Sequence, residues 1–285
     1  MRFFFKSLCH GNFWYVRSAF QRKSFPIVNF WRSSLSLLDI HIVDHCNLNC
    51  KGCTAFSPLA KEWFYDVVQL EKDLLELSKK IHLFQLELIG GEPLLHPEIT
   101  EVVQIIRRIF PKKLVLSIVT NGSLLPQMSG VFWKVCRENR VFLALSVYPP
   151  FQKHLDTYCK LAKANGINVL RQYNWQHWDS LQCSFGNQRG AEIFYRSCKQ
   201  NTCHKLWNSK LYLCPMCFLQ HYNHYFNENH ETVKGYDIYK YSGKELVRFM
   251  KQPDPACRYC TWVMKDETTQ WDYSKREKSE WCEDV

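Results

Sequence analysis

Between residues 36 and 173 two kinds of segment alternate, and that alternation restricts the fold more than any other feature of the chain. Five short runs are rich in apolar and β-branched residues: SLLDIHIVD (36–44), FQLELIG (84–90), KLVLSIVTNG (113–122), VFLALSVYP (141–149) and INVLRQY (167–173). Between them lie DVVQLEKDLLELSKKIH (66–82), PEITEVVQIIRRIF (97–110), VFWKVCREN (131–139) and FQKHLDTYCKLAKANG (151–166). Their apolar residues recur at helical spacing. Strands apolar on both faces belong to a parallel sheet covered by helices, so the pattern predicts an α/β fold of βα units. In such folds chemistry gathers at the C-terminal ends of the strands.

Those ends hold the unusual residues. DHCNLNCKGC (44–53) brings Cys46, Cys50 and Cys53 after the first strand, and LIGGEPLLHP (88–97) closes the second on Gly90, Gly91 and Glu92. Thr120-Asn121-Gly122 ends the third. Three cysteines are one short of a closed zinc site and one too many for a disulfide. An iron–sulfur cube takes one thiolate per iron, so three thiolates leave one iron open to a ligand bearing an amine and a carboxylate. A zinc site completed by His41 or His45 is the competing reading of the same cysteines. A glycine pair lets backbone approach a neighbour with no Cβ in the way.

Taken together, Cys46-x3-Cys50-x2-Cys53 after strand one and Gly90-Gly91-Glu92-Pro93 after strand two resemble the radical S-adenosylmethionine (SAM) superfamily. The resemblance covers residues 36–175 and implies a partial (βα)6-type radical SAM barrel. It implies that Cys46, Cys50 and Cys53 hold a [4Fe–4S] cluster that passes one electron to the sulfonium of SAM. Cleavage would give methionine and a 5′-deoxyadenosyl radical that takes a hydrogen from substrate. By the same resemblance Gly90, Gly91 and Glu92 seat the methionyl amino group, and Asn121 and Ser146 reach the SAM carboxylate or ribose. The family's usual aromatic residue before the third cysteine is Gly52 here, which shifts the expected wall of the adenine site to Phe56.

After residue 175 the strand–helix rhythm gives way to cysteines, aromatics and turns. SCKQNTCHKLWNSKLYLCPMC (197–217) reads as a hairpin about Asn208-Ser209 that sets Cys203 opposite Cys214. Cys257-Arg-Tyr-Cys260 is a Cys-x2-Cys knuckle. This region resembles the twitch appendage of some radical SAM enzymes, a shorter form of the SPASM domain. It implies one auxiliary [4Fe–4S] cluster on four of Cys198, Cys203, Cys214, Cys257 and Cys260, with Cys217 as an outside candidate. Structural zinc in the same ligands is the alternative. Cys9, Cys136, Cys159, Cys183 and Cys282 stand singly and read as small buried hydrophobes or idle thiols. The expected organisation is a basic aromatic extension (1–35), the barrel (36–190) and a small cysteine-rich auxiliary-cluster domain (191–285).

Composition bears on compartment and partners. The 285 residues are 46% hydrophobic and 15% aromatic, and no run approaches the ~20 apolar residues of a membrane span. Fourteen cysteines with no cleavable leader point to metal or redox chemistry in a cytoplasmic setting. The net charge of +10 suits an acidic electron donor such as flavodoxin or ferredoxin. No helix concentrates Lys and Arg as a groove reader would, which argues against nucleic acid. Residues 1–38 carry six Lys/Arg and no acid, and are expected to pack on the barrel with at most weak contact to a membrane surface.

Relatives bearing the appendage oxidise an aminocyclitol alcohol by two electrons or modify peptides. The stretch before strand one is too short for a peptide-recognition domain, which favours a sugar- or cyclitol-like small-molecule substrate. RQYNWQHWDS (171–180) follows at the end of strand five. Tyr173, Trp175 and Trp178 are candidates to stack on such a ring, Arg171 to hydrogen-bond it, and His177 and Asp179 to move its protons. A peptide-modifying radical SAM maturase is the alternative of the same class, and a zinc-stapled nucleic-acid-binding protein that of another.

Overall fold

The computed structural model describes residues 33–174, 177–179, 184, 190–198, 201–215, 234–260 and 268–282. The expected alternation is present as β1 (Ser33–Val43), α1 (Val67–Lys80), β2 (Ile81–Gly90), α2 (Ile99–Ile109), β3 (Val115–Thr120), α3 (Gly130–Glu138), β4 (Val141–Val147), α4 (Leu155–Ala164) and β5 (Val169–Asn174). β1 begins at Ser33 rather than at residue 36, because Ser33, Ser34 and Leu35 pair in register with Ile81, His82 and Leu83. The strands lie in the order β5-β4-β3-β2-β1, each parallel to its neighbour.

The two faces of this sheet differ in chemistry. Leu38, Ile40, Leu86, Leu88, Leu116, Ile118, Leu143 and Leu145 pack in one core with Leu70, Leu74 and Leu77 of α1 and Val102, Val103 and Ile106 of α2. The opposite face holds Glu87 of β2 and Arg171 of β5, ion-paired at 2.7 Å and both buried. β3 and β4 lie between them, and three strand spacings in a flat sheet would separate them by about 14 Å. The sheet is therefore curled into a partial barrel with these charges across its hollow. Arg171, expected at the pocket mouth, is instead engaged inside the barrel by Glu87.

The remaining described elements are β6 (His177–Asp179), α5 (Ala191–Ser197), β7 (Lys205–Trp207), β8 (Lys210–Tyr212), β9 (Tyr236–Asp237), α6 (Gly243–Phe249) and β10 (Thr268–Gln270). β7 pairs parallel to β1, with Asp39 opposite Lys205, so the cysteine-rich region extends the barrel sheet through β7, β8 and β9. Among the described residues the barrel's successive units are β1 to β5, while β6 forms an antiparallel ribbon with β10. The β7–β8 turn is the expected one: Asn208 and Ser209 adopt φ of 47° and 61°, the twist a two-residue hairpin loop requires.

This hairpin is fastened to α1 by a buried carboxylate. Asp73 accepts hydrogen bonds from Gln69 Nε2 (2.8 Å), Ser209 Oγ (2.9 Å), Tyr239 Oη (2.7 Å) and the Tyr65 hydroxyl. A second, smaller core gathers Phe56, Trp207, Tyr212, Leu213, Ala256, Cys260, Trp281 and Cys282. No helix among the described residues is long and apolar enough to cross a membrane.

Candidate metal and cofactor site

The three-cysteine loop leaves the C-terminal end of β1 and is held there by the end of β2. The ladder between the two strands runs on past them: Gly91 N donates to the Val43 carbonyl (2.8 Å) and Glu92 N to that of His45 (3.1 Å). A Cβ on Gly90 would fall 2.2 Å from Val43 O, and one on Gly91 2.1 Å from His45 O. The glycine pair is thus required by the cysteine loop's own backbone, which it grips one residue before Cys46. Gly52, where the family pattern is aromatic, has φ of 63°. The tight turn from Cys50 to Cys53 accounts for the glycine there.

Glu92 staples β2 to β3. Its buried carboxylate accepts from Thr120 Oγ1 (2.7 Å), Asn121 N (2.9 Å) and Leu94 N (3.1 Å). Burial raises its pKa to about 7 against the pull of those three donors. Asn121 braces the loop in turn: its Nδ2 donates to Asn47 Oδ1 (2.8 Å), and its Oδ1 accepts from Ser123 N (2.9 Å). Ser146, half-buried on β4, is the register partner of Tyr173 on β5.

The thiols sit in a demanding environment. Burial pushes Cys50 up to about 12, with the charge of Cys53 adding to it. Cys46 is raised further by burial, by Glu92 and by the other two cysteines. The Tyr148 hydroxyl, just past β4, is raised by burial and then by the same three thiols and Glu92, so it too faces this loop. Thiols that repel each other as anions, yet are gathered by backbone, suit a shared polycation.

A donor is also in place. The indole Nε1 of Trp271 is buried beside Cys50, off hydrogen-bonding geometry and with no other partner, and it favours the Cys50 thiolate. A sulfur carrying cluster charge is the acceptor such a group lacks. These features fit an iron–sulfur cluster on Cys46, Cys50 and Cys53. Of the fourth zinc ligands considered from sequence, His41 Nε2 is engaged 2.8 Å from Asp44 Oδ1, while the His45 ring packs edge-on against Phe64 with its buried Nδ1 unbonded. Among the described residues no three His, Cys, Asp or Glu side chains close on a single-ion site.

The second cysteine group converges in part. Cys214, Cys257 and Cys260 share the smaller core with Cys282, which is fully buried there. Cys198, capping α5, lies near enough to Cys257 to help push that thiol up to about 11, after burial and Asp254. Cys203 is buried, and it and Cys214 lie just beyond the paired stretch of the hairpin, where His204 Nδ1 is 3.1 Å from the Leu213 carbonyl. Cys217 and Trp175 lie outside the described residues, and His177 and Asp179 lie on β6 opposite Gln270 and Thr268.

One expectation is corrected. Phe56 is 1% exposed and stacked on Trp281 at 5.8 Å, so it belongs to the smaller core and is no wall for adenine. Trp271, Trp281 and Tyr148 carry no local sequence signal that marks them as neighbours of the cysteine loop.

A curled parallel sheet with a three-cysteine loop gripped by a Gly-Gly-Glu edge is the arrangement that the sequence resemblance to the radical SAM superfamily implies. Residues 38–144 match the family described as a 4Fe-4S single cluster domain. The chain is similar to GTP 3′,8-cyclase of Trichodesmium erythraeum, 32% identical over 109 residues that make up 36% of this chain and 32% of that one. The same enzyme of Microcystis aeruginosa is 28% identical over 161 residues, 53% of this chain and 44% of the relative. The chain thus spans less than half the length of these curated relatives. Among solved structures, BtrN in complex with AdoMet and 2-DOIA aligns over 84% of this chain and 98% of its own, with a TM-score of 0.51 and 17% identity. That likeness is one of fold.

Proposed function

We propose that this chain is a radical SAM oxidoreductase-type enzyme. It reductively cleaves S-adenosylmethionine at a [4Fe–4S] cluster on Cys46, Cys50 and Cys53 and uses the resulting radical to oxidise a sugar- or cyclitol-like small molecule. The observation that carries this reading is the clamping of a three-thiol loop to the Gly90-Gly91 edge, with a buried indole N–H beside Cys50. When bound, the cluster supplies the electron that breaks a carbon–sulfur bond of SAM. The chain's residues hold that chemistry in place: the Gly90–Glu92 edge lies next to the loop to take the amino group, and Asn121 and Ser146 stand at the neighbouring strand ends.

The hollow of the barrel supports a polar substrate without large net charge. Glu87 and Arg171 neutralise each other there, Asp39 and Lys205 are register partners, and the buried Ser117 Oγ, on the strand beside Glu87, has no hydrogen-bond partner. His177 and Asp179 are proposed to move protons during oxidation. Four of Cys198, Cys203, Cys214, Cys257 and Cys260 would hold one auxiliary [4Fe–4S] cluster able to accept an electron from the substrate radical. A cytoplasmic setting and an acidic donor such as flavodoxin or ferredoxin complete the proposal.

The test is the iron and sulfide content of anaerobically reconstituted protein, with 5′-deoxyadenosine assayed after dithionite and SAM are added. About eight irons, falling to about four with loss of 5′-deoxyadenosine in a Cys46/Cys50/Cys53→Ala variant, is the expected result. Zinc without iron and no SAM cleavage would overturn it.

A further inference from the structure

We infer that the C-terminal segment from Trp271 to Trp281 is a strap that positions the cluster loop and raises the reduction potential of the cluster it carries. The inference rests on the reading of Cys46, Cys50 and Cys53 as cluster ligands, and Trp271 and Trp281 are its positioning residues.

The strap runs antiparallel beside the loop. Lys51 N donates to the Asp272 carbonyl (2.9 Å) and Ser274 N to that of Asn49 (2.9 Å). Asn49 Nδ2 donates to the Ser274 carbonyl (2.7 Å), and Cys50 and Tyr273 form an antiparallel bridge between those bonds. Three residues of the strap, Asp272, Tyr273 and Ser274, thus bracket the middle cysteine on both sides. The third cysteine is pinned as well, since Trp281 Nε1 donates to the Cys53 carbonyl at 2.9 Å. That carbonyl also accepts from Phe56 N at 2.9 Å.

The strap is itself anchored. The Trp281 ring is 1% exposed and stacked on Phe56, and it packs in the core that holds Cys257 and Cys260. Between its two contact points the chain is closed on itself, with Lys275 N donating to Glu280 Oε1 (2.6 Å) and Arg276 N to Ser274 Oγ (2.9 Å). A braced segment of this kind holds the Trp271 indole at a fixed place beside Cys50. Its buried Nε1 has no hydrogen-bond partner in this structure, and a cluster-bearing Cys50 sulfur would supply one.

The consequence is electrostatic. Hydrogen bonds to cluster sulfurs are one of the levers that set iron–sulfur potentials. A donor to sulfur stabilises the more electron-rich, reduced cluster more than the oxidised one, because donors bind charged acceptors more strongly. Removing the N–H therefore lowers the midpoint potential. Removing the Trp281 contact acts on position instead, by freeing the Cys53 end of the loop.

The experiment uses the full chain, anaerobically reconstituted, as wild type, Trp271→Phe and Trp281→Phe. A fourth form carries benzothienylalanine at position 271, which keeps the bicyclic ring and removes only the N–H. The SAM-sensitive EPR signal is titrated for its midpoint, iron per chain is measured, and iron loss to a chelator is timed. Both changes at 271 should shift the midpoint downward with iron content retained. Trp281→Phe should lose iron several-fold faster. A benzothienylalanine form with full iron and an unmoved midpoint would overturn the strap's electronic role while the radical SAM reading stood. A wild-type cluster whose EPR signal ignores added SAM would defeat that reading and leave the strap standing. Absence of iron on the three cysteines would overturn both.

Discussion

Gly91→Ala isolates the grip of β2 on the cysteine loop. An ideal Cβ at that position falls 2.1 Å from the His45 carbonyl oxygen, 2.4 Å from its carbon and 2.8 Å from Ser57 Oγ. Unstrained contact between heavy atoms begins at about 3.5 Å, so the two backbones must part by roughly 1.4 Å from the 2.1 Å approach. Neither can yield cheaply, because both are main chain. The separation breaks Gly91 N to Val43 O and Glu92 N to His45 O, each worth about 1 kcal/mol net. Overpacking adds about 1–3 kcal/mol, so stability should fall by about 3–5 kcal/mol. Catalysis should suffer more, since misplacing reacting groups by about 1 Å costs on the order of 100-fold in rate.

The assays are thermal unfolding and 5′-deoxyadenosine formation by reconstituted protein. Gly130→Ala is the control. Gly130 opens α3, a Cβ there would meet nothing within 4 Å, and alanine should be neutral or slightly stabilising. A Gly91→Ala protein that melts and cleaves SAM like wild type would refute the reasoning, and the glycine pair would then be an ordinary tight turn.

Two further perturbations test the frame. Asp73→Ala leaves the hydroxyls of Tyr65, Ser209 and Tyr239 and the amide of Gln69 without their shared acceptor, and should lower stability by about 3–5 kcal/mol; a chemical-denaturation midpoint close to wild type would sink the hub. His96 is held below the ordinary value of 6.5 by burial, with Nε2 bonded to the Tyr65 carbonyl (3.0 Å) and Nδ1 accepting from Glu98 N (3.1 Å). A depressed histidine pKa means the unfolded chain takes the proton more readily. The stability His96 contributes is therefore full above pH 6.5 and is lost as pH falls through the lower folded value. Melting temperature against pH should flatten over that acid limb in His96→Gln.

The barrel was legible because its signals are local. Leu86 and Leu88 against Gln85 and Glu87, with Leu70, Leu74 and Leu77 at helical spacing, declare strand and helix without reference to anything distant. The cysteine loop and the Gly-Gly-Glu edge could be placed because both follow predicted strands. What the missing Cβ atoms face could not, since the His45 carbonyl meets Gly91 only through the β1–β2 ladder. The fate of Arg171 had a faint trace. Glu87 and Arg171 are the lone carboxylate and the lone guanidinium of their two strands, and buried charges require partners. Sequence spacing alone set Arg171 at the pocket mouth, whereas its place within β5 turns it across the hollow to Glu87.

Phe56, Trp271 and Trp281 were illegible for a different reason. Trp281 and Cys53 are 228 residues apart, and no periodicity reports a pairing at that distance. These contacts also change what the two halves of the chain are to one another. β7 continues the barrel sheet beyond β1, Asp73 ties the following turn to α1, and the strap returns from the smaller core to the first cysteine loop. Each link joins the barrel to the cysteine-rich region. The loop between Cys46 and Cys53 has few bonds of its own, among them Cys53 N to Cys50 O at 3.3 Å. Its shape is consequently a property of the whole chain, and order in the cysteine-rich region is a condition for order at the cysteine-loop end of the barrel.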